Sequence, residues 1–224
     1  MKQKKCRGSA CPELAGARQK AIEIGQTAEQ YAARLEKAEQ ELLTDPLTGA
    51  YNLRGLETKF REEAGRARRH KLGLCMLFID VDNFGRFNKE HGQETGDLVL
   101  KAIVEAVKQK LRAYDSVHRL GGEEFVVLLP ETPSAEVAAI VAERMRKRIE
   151  ELELQSHNGD GPLKVTVSIG AAALGPADGL RELIDKANQA ERRAKDSGKN
   201  ATFIFSDNGI VPGDERLAGQ RAAR

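Results

Sequence analysis

Six consecutive apolar residues, Leu74-Cys75-Met76-Leu77-Phe78-Ile79, run directly into Asp80-Val81-Asp82. A strand with one wet face alternates apolar and polar residues. A continuous run must be covered on both faces, so this stretch predicts a central strand over 72–82. The rest of the chain supplies its cover. A helix is predicted over 53–69, and two more follow the strand, the second over 96–113. Leu100, Ile103, Val104, Val107 and Leu111 recur there at helical spacing. Gly121-Gly122, flanked by segments 116–119 and 124–129, is a two-residue hairpin signal. A helix over 134–154 comes next. Val165, Val167 and Ile169 then alternate with Thr166, Ser168 and Gly170, which predicts a half-buried strand. A helix over 179–196 and a strand over 201–205 complete the pattern. The order βααββαβ, then helix and strand, predicts an α+β fold with helices on one face of a mixed, mainly antiparallel sheet.

Ahead of this lies a different kind of segment. Residues 13–43 lack proline. Leu14, Ala21, Ala28, Leu35 and Leu42 recur every seven residues, with Ala17, Ile24, Tyr31 and Ala38 three later in each heptad. That spacing predicts a coiled-coil stalk, with an amphipathic helix lying on its own domain as the alternative. The seam is rich in alanine, so a lone helix pair would be weak. Thr44-Asp45-Pro46-Leu47-Thr48-Gly49 breaks the helix, since proline cannot continue its interior. The expected organisation is an irregular lead-in over 1–12, a helical stalk over 13–43, a catalytic-type domain over 44–205 and a flexible polar tail over 206–224.

The three cysteines are Cys6, Cys11 and Cys75. An odd count without a signal peptide reads as reduced thiols in a cytoplasmic protein. Cys6 and Cys11 lack nearby histidines or further cysteines, so they make a poor zinc signature. No apolar run approaches the roughly 20 residues that span a bilayer. A net charge of +2 gives no reason to expect a nucleic-acid or membrane partner.

The chemistry rests on carboxylates. Asp80 and Asp82 end the most apolar strand on a shared face, where an unpaired acid is costly. A divalent metal would satisfy them, because hard cations take carboxylate oxygens. Capping the next helix is the alternative. Gly121-Gly122 requires positive φ or close approach to bare backbone, and Glu123-Glu124-Phe125 follows at once. If this hairpin lies beside the Asp80 strand, Glu123 can meet Asp80 over a shared metal. A surface hairpin with solvated acids is the alternative. Lys195 and Lys199 share a helix face and suit an anion, or else offset the helix dipole. No P-loop is present. His91 and His118 read as solvent or packing residues.

These residues resemble the GGDEF family of diguanylate cyclases over about 44–205. The marks are Asp45-x-Leu47-Thr48-Gly49, Phe78-Ile79-Asp80-Val81-Asp82-x-Phe84 and Asn88-x-x-x-Gly92-x-x-x-Gly96-Asp97. They continue with Arg119-Leu120-Gly121-Gly122-Glu123-Glu124-Phe125, Val167-Ser168-Ile169-Gly170 and Ala194-Lys195-x-x-Gly198-Lys199-Asn200. Six elements in order at family spacing are specific. The resemblance implies a nucleotidyl-cyclase palm, ferredoxin-like in its βααββαβ order, that turns two GTP into cyclic di-GMP as a homodimer joined through the N-terminal helix. It implies Mg²⁺ or Mn²⁺ on Asp80, the Val81 carbonyl and Glu123, with Glu123 also the catalytic base. Substrate contacts are implied for Phe84, Asn88, Asp97, Gly121, Gly122, Glu124, Lys195 and Lys199. An inhibitory product site is implied at Arg112 and Asp115, assisted by Arg144.

The chain departs from the family at several positions. Gly85 stands where a lysine is usual, Lys89 replaces an aspartate and Gln93 a histidine. Glu191-Arg192 replaces Leu-Tyr. A receptor that binds GTP or cyclic di-GMP without turnover is the alternative these changes leave open.

Overall fold

The computed structural model describes residues 12–155 and 162–213. Cys6, Cys11 and most of the expected lead-in lie outside the described residues, as do residues 214–224 of the expected tail. Helix α1 (Pro12–Leu43) begins at Pro12, which suits a first helical position because that residue needs no N–H partner. The chain up to Leu42 is one compact unit and the chain from Leu43 is another. On the predicted seam of α1, the Ala17, Ala21, Ile24, Ala28, Tyr31, Leu35 and Ala38 side chains are all exposed in the single chain. Among the described residues no helix is long and apolar enough to cross a membrane.

The second unit opens with α2 (Leu53–His70). Asn52 caps it by accepting from the Gly55 N–H, and Lys71 ends it in the left-handed conformation. Strand β1 (Leu74–Val81) is buried at all eight positions. After it come α3 (Phe84–His91), α4 (Gln93–Lys108), β2 (Ser116–Gly121), β3 (Glu124–Pro130) and α5 (Ala135–Glu150). The chain continues with β4 (Leu154–Gln155), β5 (Pro162–Leu163), β6 (Val167–Ala173), α6 (Leu180–Asp196), β7 (Thr202–Ser206) and β8 (Gly209–Pro212). The main sheet has the order β2-β3-β1-β6-β7-β8. Only β6 and β7 are parallel, joined by the α6 crossover.

Helices cover both faces of this sheet, not one. Cys75, Leu77, Ile79 and Val81 of β1 pack with Val99, Leu100 and Ile103 of α4 and with Ala138, Ala142 and Met145 of α5. Leu74, Met76 and Phe78 pack against Leu56, Phe60 and Ala64 of α2 and against Leu183 and Ala187 of α6. The run in β1 demanded two covers, and it has them. Strand β6 is likewise buried on both faces, where alternation predicted half-burial. Gly170 is the reason: a Cβ there would lie 2.0 Å from the Ala187 carbonyl oxygen and 2.3 Å from the Glu191 nitrogen. The bare backbone lets α6 lie directly on the sheet.

Two features have no counterpart in the predicted pattern. The β4–β5 pair is a separate two-stranded sheet. Strand β8 extends the main sheet where a tail was expected from 206. It turns at Gly209, whose φ is +108, and it buries Val211 against Ala135 and Ile204. A two-residue apolar patch, Ile210-Val211, is too short to stand out by periodicity.

His118 is fully buried in the sheet. It pairs in register with Val126, its ring lies 5.3 Å from Tyr51, and its Nε2 is 2.8 Å from Ser116 Oγ. Burial, with Lys59 nearby, pushes its pKa down to about 3. Between that value and the ordinary 6.5, the unfolded chain binds a proton that the folded chain refuses. Stability is therefore lost as pH falls below about 6.5, with a limiting slope of about 1.4 kcal/mol per pH unit. Denaturant unfolding at pH 7, 6, 5 and 4 should show this slope, and His118→Ala should remove that part of it while shifting the whole curve. An unchanged slope in the variant would contradict the assignment.

Candidate active site

The β2–β3 hairpin lies beside β1, so the register places Asp80 opposite Glu124 on one side and Ser168 on the other. The turn itself is displaced from the expected position. The register shifts between Arg119 and Gly121, Gly121 pairs with Glu124, and the two turn residues are Gly122 and Glu123. Only Gly122, at φ +52, needs glycine for its conformation. A Cβ at either Gly121 or Gly122 would meet nothing within 4 Å, so the backbone is open on this side.

Arg119 holds the turn. Its Nε and Nη2 donate to the Gly122 carbonyl at 3.0 and 2.8 Å, and its Nη1 donates to Asp45 Oδ1 at 3.0 Å. Asp45 also accepts from the Thr48 amide and hydroxyl. Burial opposes ionisation of Asp45, but these hydrogen bonds and the guanidinium outweigh it and hold the carboxyl below the usual carboxylate range. The motif contained both residues, yet 74 positions separate them and nothing in the spacing pairs them.

Acids gather at the end of β1. Burial pushes the Asp80 carboxyl up, Lys195 opposes this, and Glu123 and Asp82 add to it. Glu124 is raised by burial and by Asp80, against the pull of Lys195 and Arg192. From α6, Lys195 Nζ lies 2.9 Å from Asp80 Oδ2 and 3.1 Å from Glu191 Oε1. Burial works against this ammonium, but its two acid partners hold its pKa above the ordinary value. Glu191 is only 2 % exposed, and burial pushes it up to about 7 despite Lys195. Its substitution stood out in the sequence, but not its place in the site. Lys195 is thus shared by Asp80 and Glu191, with Asp82, Glu123 and Glu124 beside them.

This donor set fits a hard divalent cation. Asp80, Glu123 and the Val81 carbonyl would hold it. Among the described residues, no group of three or more Asp, Glu, His or Cys side chains is arranged to bind a metal alone. The remaining oxygens would come from phosphates or water, the usual arrangement for Mg²⁺.

Asp82 has a different task. Its carboxylate accepts from Thr166 Oγ1 and Ser168 Oγ at 2.7 Å and from the Asn200 amide at 2.9 Å. Three donors engage it, so it joins β1, β6 and the turn after α6. Asp80, the other aspartate that spacing offered to a metal, has the Lys195 ammonium as its partner instead. Lys199, in that turn, donates to Asn83 Oδ1 at the head of α3.

Helices α3 and α4 meet at Gly92 and carry Asn88 and Asp97. Asn88 Oδ1 is buried without a hydrogen-bond partner, and a Cβ at Gly96 would lie 2.0 Å from it. A buried, unpaired acceptor beside half-buried Asp97 suits a ligand's donor edge. Phe84 is buried in the core beneath Gly96, so only its backbone at the start of α3 can face a ligand. Elsewhere, the Arg112 amide donates to Asp115 Oδ2 at 2.8 Å, and Asp115 is raised by burial. Arg144 is exposed on α5, and no hydrogen bond or ion pair joins it to that pair.

Comparison with known proteins places this arrangement. Residues 42–201 match the family model described as "Diguanylate cyclase, GGDEF domain". The chain is 37 % identical over 175 residues to diguanylate cyclase DgcP of Pseudomonas aeruginosa, covering 78 % of this chain and 26 % of that one. It is 36 % identical over 170 residues to diguanylate cyclase DosC of Escherichia coli, covering 76 % of this chain and 36 % of that one. It therefore spans about a quarter to a third of these curated relatives. Among solved structures, diguanylate cyclase SiaD of Pseudomonas aeruginosa, in complex with its activator SiaC, aligns with a TM-score of 0.72. The identity is 33 %, over 86 % of this chain and 73 % of that one. The coiled coil and GGDEF domain of DgcB from Caulobacter crescentus, in complex with c-di-GMP, aligns with a TM-score of 0.76 over 84 % and 98 %. At 22 % identity it shares the fold.

The Asp45–Arg119 pair is shielded, with 18 % and 14 % of its side-chain surface exposed. A double-mutant cycle with Asp45→Asn and Arg119→Met should give a coupling of about 1–2 kcal/mol in denaturant unfolding. A coupling near zero would mean that the pair does not hold the turn.

Proposed function

The chain belongs to the GGDEF family of diguanylate cyclases, and from that premise we propose that it condenses two GTP into cyclic di-GMP and two pyrophosphates. The observation that carries this reading is the register that sets the Glu123 turn at the end of the Asp80 strand, with Lys195 delivered to the same carboxylate. Cyclases of this family depend on a divalent metal. When bound to Asp80, Glu123 and the Val81 carbonyl, Mg²⁺ or Mn²⁺ would neutralise charge on the α-phosphate and on the leaving pyrophosphate.

The chain's own groups do the rest. Glu123 takes the proton from a 3′-hydroxyl as that oxygen bonds to the α-phosphorus and the bond to the β-phosphate oxygen breaks. Asp97 accepts from guanine N1–H and the exocyclic amine, a pair that adenine does not offer, and Asn88 completes the guanine edge. Lys195 and Lys199 bind the β- and γ-phosphates. Glu124, with Arg192 nearby, sets the charge behind the turn. The open backbone at Gly121 and Gly122 gives the nucleotide room to lie against the hairpin.

Each domain holds one GTP, so two must face each other. Pairing through α1 would raise the effective concentration of one half-site for the other. The exposed Ile24, Tyr31 and Leu35 side chains support this pairing. Arg112 and Asp115, with Arg144 in an assisting role, would bind product and brake turnover. A second reading, binding without turnover, draws support from Glu191, which competes with phosphate for Lys195. Product binding that depends on Arg112, in a protein that makes no product, would select it.

With GTP and Mg²⁺, the full chain should yield cyclic di-GMP and pyrophosphate, and Glu123→Ala should reduce the rate by at least about a thousandfold. Absence of product at every protein concentration that permits dimers would overturn the enzyme reading. Ile24→Glu with Leu35→Glu should raise the protein concentration needed for half-maximal specific activity by about tenfold or more. An unchanged concentration dependence would remove α1 from the assembly.

A further inference from the structure

The turn Gly198-Lys199-Asn200 has three successive positive φ angles, +119°, +67° and +47°. Glycine tolerates this and asparagine adopts it more readily than most residues, but lysine does so only when its surroundings favour it. The Lys199 amide donates to the Ala194 carbonyl, which anchors one end of the turn on α6. The other end is held through Asn200. Its amide goes to Asp82, its Oδ1 accepts from Arg146 Nη1 at 2.6 Å, and its Nδ2 donates to Glu150 Oε1 at 2.9 Å.

Arg146 is well placed to impose a geometry. Its side chain is 12 % exposed, and its fork also pairs with Glu143 through Nε and Nη2 at 3.1 Å and with Glu150 through Nη1 at 3.0 Å. Glu143 is itself buried. Neighbouring Ala142, Met145 and Ile149 already supply the apolar contact of α5 with the sheet. A shielded guanidinium with two carboxylates, one of them buried, is not required by that packing. What it adds is one charge-assisted hydrogen bond to Asn200 from a guanidinium whose plane Glu143 and Glu150 fix, a geometry that lysine cannot reproduce.

We propose that Arg146, acting through Asn200, is a positioning residue that holds the Gly198–Asn200 turn so that Lys199 faces the phosphates beside Asn83. This rests on the reading of Lys199 as a phosphate ligand given above. The triphosphate, and not the guanine, is the part of the substrate that feels the device.

The test measures binding of 3′-deoxy-GTP, which lacks the attacking hydroxyl, and of GMP to the full chain with Mg²⁺. Asn200→Gly keeps the left-handed backbone and the Arg146–Glu143 pair while removing the link. Arg146→Met removes the grip itself, at the risk of unfolding through an unpaired Glu143. Asn200→Gly should weaken 3′-deoxy-GTP about tenfold and leave GMP within about twofold, and Arg146→Met, if folded, should do the same. Unchanged 3′-deoxy-GTP binding in folded Asn200→Gly, or equal loss of both nucleotides, would overturn the inference alone. A wild-type chain that does not bind 3′-deoxy-GTP would overturn the phosphate reading and the inference with it.

Discussion

Burial of both faces of β1 is the constraint on which the rest of the molecule depends. All eight of its residues are out of water, and each face requires its own pair of helices. Strands β3 and β6 flank it, so its backbone groups are paired throughout. Such a strand cannot shift by one residue, because a slip would exchange its two faces. Rigidity of this kind makes the end of β1 a sound place to build a site. Asp80 sits there on the α2–α6 face, still in register with Glu124 and Ser168.

The cost of that location is acid held away from water. Five carboxylates, Asp80, Asp82, Glu123, Glu124 and Glu191, gather near one ammonium, and burial pushes three of them upward in pKa. The fold meets this cost in two ways. Asp82 accepts from three donors and serves as a clamp. Among the described residues, Asp80 is paired with Lys195. The turn that brings Glu123 is fixed from outside by Arg119 and Asp45. The β2–β3 hairpin is thereby tied to the segment that directly follows α1 in the chain.

Much of this was legible in the sequence. The central strand, the hairpin beside it, the order of helices and the positions of the acids all follow from local pattern, because periodicity and turn chemistry are local properties. The motif elements also named Asn88, Gly96, Asp97 and the two lysines. Several features were not legible. Glycine at 170 reads as an ordinary member of an alternating strand until α6 is laid across it. A bulge of one residue between Arg119 and Gly121 moved the turn to Gly122-Glu123, and bulges depend on pairing that no single strand specifies. Strand β8 needed a partner edge to make four weakly apolar residues into a strand.

The sequence by itself determined the chemistry: hard oxygen donors at the end of an apolar strand, a glycine turn bearing glutamate, lysines at the end of a helix, and a heptad seam ahead of them. The tertiary structure alone decided how the two acids differ. Asp80 and Asp82 are two residues apart and chemically identical. Only the arrival of Thr166, Ser168 and Asn200, 84 to 118 positions away, makes Asp82 a brace, while Asp80 faces Lys195. The same holds for Arg119 with Asp45 and for Arg146 with Asn200, 74 and 54 positions apart. A hydrogen bond requires placement to within a few tenths of an ångström, and spacing along a chain carries no such information until the core has packed.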